Sequence, residues 1–162
     1  IADGVILNFP TPGYASRAMA AIFRGLAKAN RERASIEIVA NFRTGIGEFA
    51  PLASTLRNEL IVYLLSPVYQ QVFRADGWGD EVERTTAAWA SGDRSGAVSG
   101  ISDAFVDAHG ALGTIGACDA NVQRFLDLGI DTAVLFPVVV EGPDTRLREL
   151  DLVRAFGPAN RG

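Results

Sequence analysis

Cysteine, histidine, methionine and lysine each occur once in this sequence, as Cys118, His109, Met19 and Lys28, and each scarcity closes off a class of chemistry. A single cysteine forms no internal disulfide, so a reducing, cytoplasmic setting is the expectation. With so few His and Cys residues, no cluster has the spacing of metal ligands, and no metal is expected. Long apolar runs are missing too. Leu60 to Leu65 and Ala133 to Val140 fall far short of the roughly 20 residues a membrane helix needs. Positive charge is not in excess: fifteen basic residues against nineteen acidic ones give a net charge of −4 and argue against a nucleic-acid partner. There is no Gly-x-Ser-x-Gly elbow, and the glycine-rich stretch 95–100 does not follow a strand.

What is present alternates between strand-forming and helix-forming segments. Val5 to Phe9 is a short apolar run stopped by Pro10, which cannot donate to a sheet ladder. Thr11 and Pro12 then supply a cap and a first-turn proline for a helix whose apolar positions include Ala18, Ala21, Ile22 and Leu26. Ile36 to Phe42 reads as a second strand, followed by a loop through Arg43, Thr44, Gly45 and Gly47. Helix is expected over Leu52 to Leu65, again through Phe73 after a break at Ser66-Pro67, and over Asp80 to Ala90 and Ser95 to Ala108. Val122, Phe125 and Leu126 form a further helical stripe closed by Gly129. Thr132 to Phe136 is a third strand, and a final amphipathic helix runs from Leu147 to Phe156.

Strands joined by helices imply parallel neighbours, here expected in sequence order with helices on one face. The fold class is therefore α/β. Three such strands leave two open edges, which a closed eight-stranded barrel would fill. A small open sheet of flavodoxin type is the competing architecture, although Asn8-Phe9-Pro10-Thr11-Pro12 is a poor phosphate loop. The sequence opens on Ile1 and its one methionine sits inside an apparent helix, so a piece of a longer chain is expected.

Four segments resemble the luciferase-like flavin or deazaflavin oxidoreductases, especially the branch using the deazaflavin coenzyme F-420. They are Ala2 to Phe9 with Thr11-Pro12, Leu65 to Tyr69 with Phe73 to Gly77, Ser102-Asp103 through Gly113-Thr114, and Gly129 to Thr132 through Leu135-Phe136-Pro137. The resemblance implies a (β/α)8 TIM barrel, of which residues 1–162 would be one incomplete domain holding about strands six to eight. It implies hydride transfer or oxygen activation on a small organic substrate, with coenzyme F-420 as cofactor and FMN as the alternative. Most cofactor contacts would lie in the missing N-terminal half of the barrel, leaving the fragment alone inactive and open-edged, with homo-oligomers possible. Where the family usually has proline and acidic residues after Gly113-Thr114, this chain has Ile115-Gly116-Ala117, a weaker helix start.

In such barrels chemistry sits at the C-terminal strand ends, which makes Asn8, Phe9, Thr11, Asn41, Arg43 and Phe136 the candidate cofactor- or substrate-binding residues. Asn8 and Asn41 offer amides to a ring edge or substrate, or satisfy their own loops. Arg43 offers a fork of donors to a phosphate or carboxylate, in which case its loss should weaken binding while leaving folding nearly intact, or it is a solvated surface residue. Thr11 reads first as a helix cap. Phe9 and Phe136 pack on a flavin-like ring or close the barrel end. His109 and Cys118 are expected to be remote from this end, and no catalytic residue is assigned. A non-catalytic interaction or dimerisation module, with Trp78 and Trp89 exposed, is the reading from a different class.

Overall fold

Strand β1 (Gly4–Asn8) alternates buried and open positions, with Leu7 in the core and Ile6 pointing away from it. The computed structural model describes residues 2–157. Helix α1 (Pro12–Lys28) starts as its sequence requires: the Thr11 hydroxyl accepts the Tyr14 N–H at 3.1 Å and Pro12 occupies the first turn. A short 3-10 turn (Arg33–Ser35) leads into β2 (Glu37–Ile46). Five helices follow without a strand: α2 (Phe49–Leu64), α3 (Pro67–Ala75), α4 (Gly79–Ala90), α5 (Arg94–Ser99) and α6 (Asp103–His109). The chain then forms β3 (Gly110–Gly113), α7 (Ile115–Leu126), β4 (Thr132–Pro137) and α8 (Thr145–Phe156).

All strand pairs are parallel. Val39 to Asn41 pair with β1 and β4 at once, so those two strands flank β2 in the expected order. Arg43 and Thr44 pair with β3 and β4 at once. Strand β3 therefore lies end to end with β1 along the same edge of β2.

One sheet face is covered. Leu7, Ile38, Ala40 and Phe42 pack against Ala15 and Met19 of α1 and Val122 and Phe125 of α7, with the Phe42 and Phe125 rings 4.9 Å apart. Burying each large apolar side chain here stabilises the fold by about 1.5–3 kcal/mol. The base is tied by Asp131, whose carboxylate accepts the Ile38 N–H at 2.8 Å and an Arg33 N–H at 2.6 Å. The Arg33 bond, then the Ile38 N–H, hold that carboxyl below its ordinary pKa.

Helices α2 to α6 build a lobe with its own core at the C-terminal end of the sheet. Leu52, Leu56, Leu60 and Leu64 recur every fourth residue on α2 and meet Phe73, Val82, Ile101, Phe105 and Val106. Buried Glu81 joins α4 to α6 by accepting the Ser102 N–H at 2.7 Å and its hydroxyl at 2.9 Å.

Several expectations need correction. Strand β2 continues through Arg43 to Ile46 instead of turning, because β3 supplies a partner for it. The helix expected over Ser95 to Ala108 is two helices, since Ser102 leaves helical geometry to cap α6 by accepting the Phe105 N–H. Trp78 and Trp89 are half-buried against the lobe core, and Arg94 covers Trp89 at 3.8 Å from its ring centre, so neither provides the exposed surface on which the interaction-module reading leaned.

Candidate functional site

The sheet's other face is bare. Ile6 is 65% exposed, Val134 36% and Phe136 42%, although Ile6 and Val134 stand between more covered neighbours on their strands. Register places the polar candidates beside them: Asn8 pairs with Asn41, Asn41 with Val134, and Arg43 with Phe136. Because parallel strands deliver their C-terminal residues to one end, Asn8, Asn41, Arg43 and Phe136 share one mouth.

Arg43 is the most constrained of them. Its guanidinium lies 4.8 Å from the Phe9 ring centre and 4.6 Å from that of Phe136, and its Nε donates to Glu59 of α2 at 2.7 Å. Its side chain is only 12% exposed, which corrects the picture of an ordinary surface arginine. Its terminal nitrogens donate to no group among the described residues, so the donor fork remains open.

Phe9 is buried and takes a left-handed backbone conformation, with φ of 50°. Such geometry costs of order 1 kcal/mol or more in a bulky residue. It turns the ring under the mouth, edge-on to Tyr63 at 4.4 Å. The Asn8 amide donates to the Tyr69 hydroxyl at 2.8 Å, while the Asn41 amide has no side-chain or loop partner among the described residues. Thr11 is buried as the α1 cap and donates its hydroxyl to Asp76, which also pairs with Arg17 at 2.8 Å. The N-terminus of α1 is thus already matched by a carboxylate from the lobe.

Glu59, Tyr63 and Tyr69 were not among the sequence candidates, yet they line this mouth from the lobe. Tyr69 also stands near Tyr14; burial first, and then Tyr69, push the Tyr14 phenol above its ordinary pKa.

His109 and Cys118 are closer to the strand ends than expected. His109 directly precedes Gly110, which pairs with Arg43, but its ring is buried among Phe73, Trp78 and Phe105. Burial lowers its pKa to about 4, against smaller opposing effects from the Phe105 carbonyl, Asp76 and Glu81. Cys118 is buried on the helix side, its thiol 3.1 Å from the Ala111 carbonyl, and burial raises its pKa. Among the described residues no His, Cys, Asp and Glu group is placed to hold a metal ion, and no helix is long and apolar enough to cross a membrane.

The donor set fits a flat heteroaromatic cofactor. Phe136 and Val134 offer an apolar wall, Asn41 an unpaired amide for a ring edge, and Arg43 a cation held in place.

A family model described as luciferase-like monooxygenase matches residues 1–132. Uncharacterized proteins of Mycobacterium bovis and Mycobacterium tuberculosis are 31% identical over 64 residues, a stretch covering 37% of this chain and 19% of theirs. The coenzyme F420 dependent tetrahydromethanopterin reductase from Methanopyrus kandleri superposes with a TM-score of 0.73 over 94% of this chain, at 20% identity. That likeness establishes a shared fold. The chain spans 44% of the reductase chain.

Proposed function

The chain belongs to the luciferase-like monooxygenase family, and from that premise we propose that it forms about strands six to eight of a (β/α)8 barrel oxidoreductase. The observation that carries this reading is the bare sheet face. Apolar residues at 36–65% exposure on alternating strand positions are what the inside of a barrel looks like with its other strands removed. The open edges of β1 and β4 are where those strands would pair.

Coenzyme F-420 is the proposed cofactor, with FMN the alternative, and the F420 dependent reductase from Methanopyrus kandleri supports that order. When bound, such a group supplies hydride or electron-pair chemistry that side chains lack. The residues of this chain would then orient and select. Phe136 and Val134 would form an apolar wall, Asn41 would bind a ring edge or substrate amide, and Arg43 would meet a carboxylate or phosphate. The substrate is a small organic molecule held under the helical lobe.

The test is a titration of the full-length protein with FMN and with coenzyme F-420, followed spectroscopically. Binding of one of them is expected, weakened about tenfold by Asn41→Ala. Failure to bind either would overturn the proposal, as would micromolar binding by residues 1–162 alone.

A further inference from the structure

The mouth holds one hydroxyl whose direction is set by a neighbour. The Asn8 side chain stands on the bare face and its amide N–H donates to the Tyr69 oxygen at 2.8 Å. A phenol that accepts one hydrogen bond turns its own O–H elsewhere. Among the described residues nothing accepts that proton. The ring does not swing to find an acceptor, because it lies edge-on to Tyr63 at 4.9 Å and packs on Phe73 at 6.1 Å. Asn41, paired with Asn8 in the sheet, places an amide with no side-chain partner among the described residues beside it.

We infer that Tyr69 is the hydrogen-bond and proton donor to the group of the substrate that is reduced, a carbonyl or imine in the proposed reaction, and that Asn8 is its positioning residue. The inference rests on the proposed oxidoreductase reading. In the step it describes, the substrate carbon accepts a hydride from the reduced cofactor, which is thereby oxidised. The C=O or C=N π bond opens and its electron pair moves to the heteroatom. That heteroatom takes the Tyr69 proton as the O–H bond breaks, and water reprotonates the phenolate. A donor fixed before the charge develops contributes more than one that must reorient.

An oxyanion probe tests the donor without turnover. The full-length protein is titrated with 4-nitrophenolate above the probe's own pKa, since hydrogen bonding to a phenolate moves its visible band to shorter wavelength. The wild type is expected to bind with that shift. Tyr69→Phe keeps the ring packing and is expected to bind about tenfold more weakly with no shift, the order expected for one lost hydrogen bond to an anion. Asn8→Asp is the sharper variant. Its carboxylate accepts the Tyr69 O–H and so withdraws the donor, giving a similar loss, and the double variant should lose no more than either alone. A Tyr69→Phe protein with wild-type affinity and band overturns the inference, as does a wild type that fails to bind the probe, or additive losses in the double variant. Parallel FMN and F-420 titrations separate the two readings. Cofactor binding with an indifferent Tyr69→Phe sinks the donor alone, whereas probe binding through Tyr69 without either cofactor sinks the oxidoreductase reading and the hydride step with it, and supports Tyr69 only as a hydrogen-bond donor.

Discussion

Arg43 donates its Nε to the Glu59 carboxylate at 2.7 Å, and this pair joins β2 to the first helix of the lobe. The same guanidinium lies between the Phe9 and Phe136 rings, so one side chain binds the strand end, the lobe and the mouth together.

Arg43→Ala is accordingly expected to cost about 1–3 kcal/mol of stability, from two cation–π contacts and one partly screened ion pair. Arg43→Lys should lose roughly half of that, since an ammonium keeps the charge but not the flat stacking surface. Denaturant melts of the full-length variants measure both. A melt of Arg43→Ala unchanged from wild type would show that these contacts contribute nothing to the fold, the near-intact folding expected from the sequence.

Glu81 offers a second stability test, away from the mouth. Glu81→Ala leaves the Ser102 N–H and hydroxyl without their acceptor and should cost about 2–4 kcal/mol, because hydrogen bonds to a buried carboxylate are among the stronger kind. Glu81→Gln keeps one acceptor and should cost less. Hydrogen exchange at the start of α6 should rise in the alanine variant before it rises in the sheet.

His109 makes stability fall in acid. Its folded pKa of about 4 lies below the ordinary 6.5, so between those values the unfolded chain binds a proton that the folded one refuses. Its contribution is complete above pH 6.5 and is lost as pH drops towards 4, a change of ~3 kcal/mol for a shift of this size. Melting the wild type and His109→Leu across that window should show a shallower acid limb in the variant.

Ile6 distinguishes a face that belongs inside a barrel from one that belongs in water. In residues 1–162 alone, Ile6→Asp should reduce self-association through the bare face, measured by sedimentation. In the full-length protein the same change should destabilise by several kcal/mol, since it would place an unpaired carboxylate in the barrel interior. A full-length variant as stable as wild type would contradict the barrel.

The three main strands were legible because each is an apolar run bounded by proline, glycine or polar residues. The end of β2 was not, since Gly45 and Gly47 read as a turn. In the structure Gly45 serves close approach: a Cβ there would sit 2.7 Å from the Val138 carbonyl oxygen and 2.9 Å from Leu52. Strand β3 has four residues, two of them glycine, and carries no periodic signal of its own. The site was legible only on its strands. Glu59, Tyr63 and Tyr69 reach it from helices folded back over the sheet, and their spacing in sequence reports helix faces rather than a shared mouth. Thr11 was legible as a cap because the cap is a local contact with its own helix.

The lobe leaves the sheet after Ile46 and returns through β3, where Ile46 pairs with Gly113 and the Gly47 N–H donates to the Gly113 carbonyl at 2.9 Å. The chain is therefore closed on itself around the lobe, between Gly47 and Gly113, before any of the intervening helices is considered. A segment closed in this way behaves as a cassette: loop-closure entropy depends only weakly on its length, and the strand register does not depend on what it contains. Recombining residues 48–109 with the matching stretch of a relative is a route by which this scaffold can exchange one wall of its mouth, and with it Glu59, Tyr63 and Tyr69, while Asn8, Asn41 and Phe136 stay where the sheet holds them.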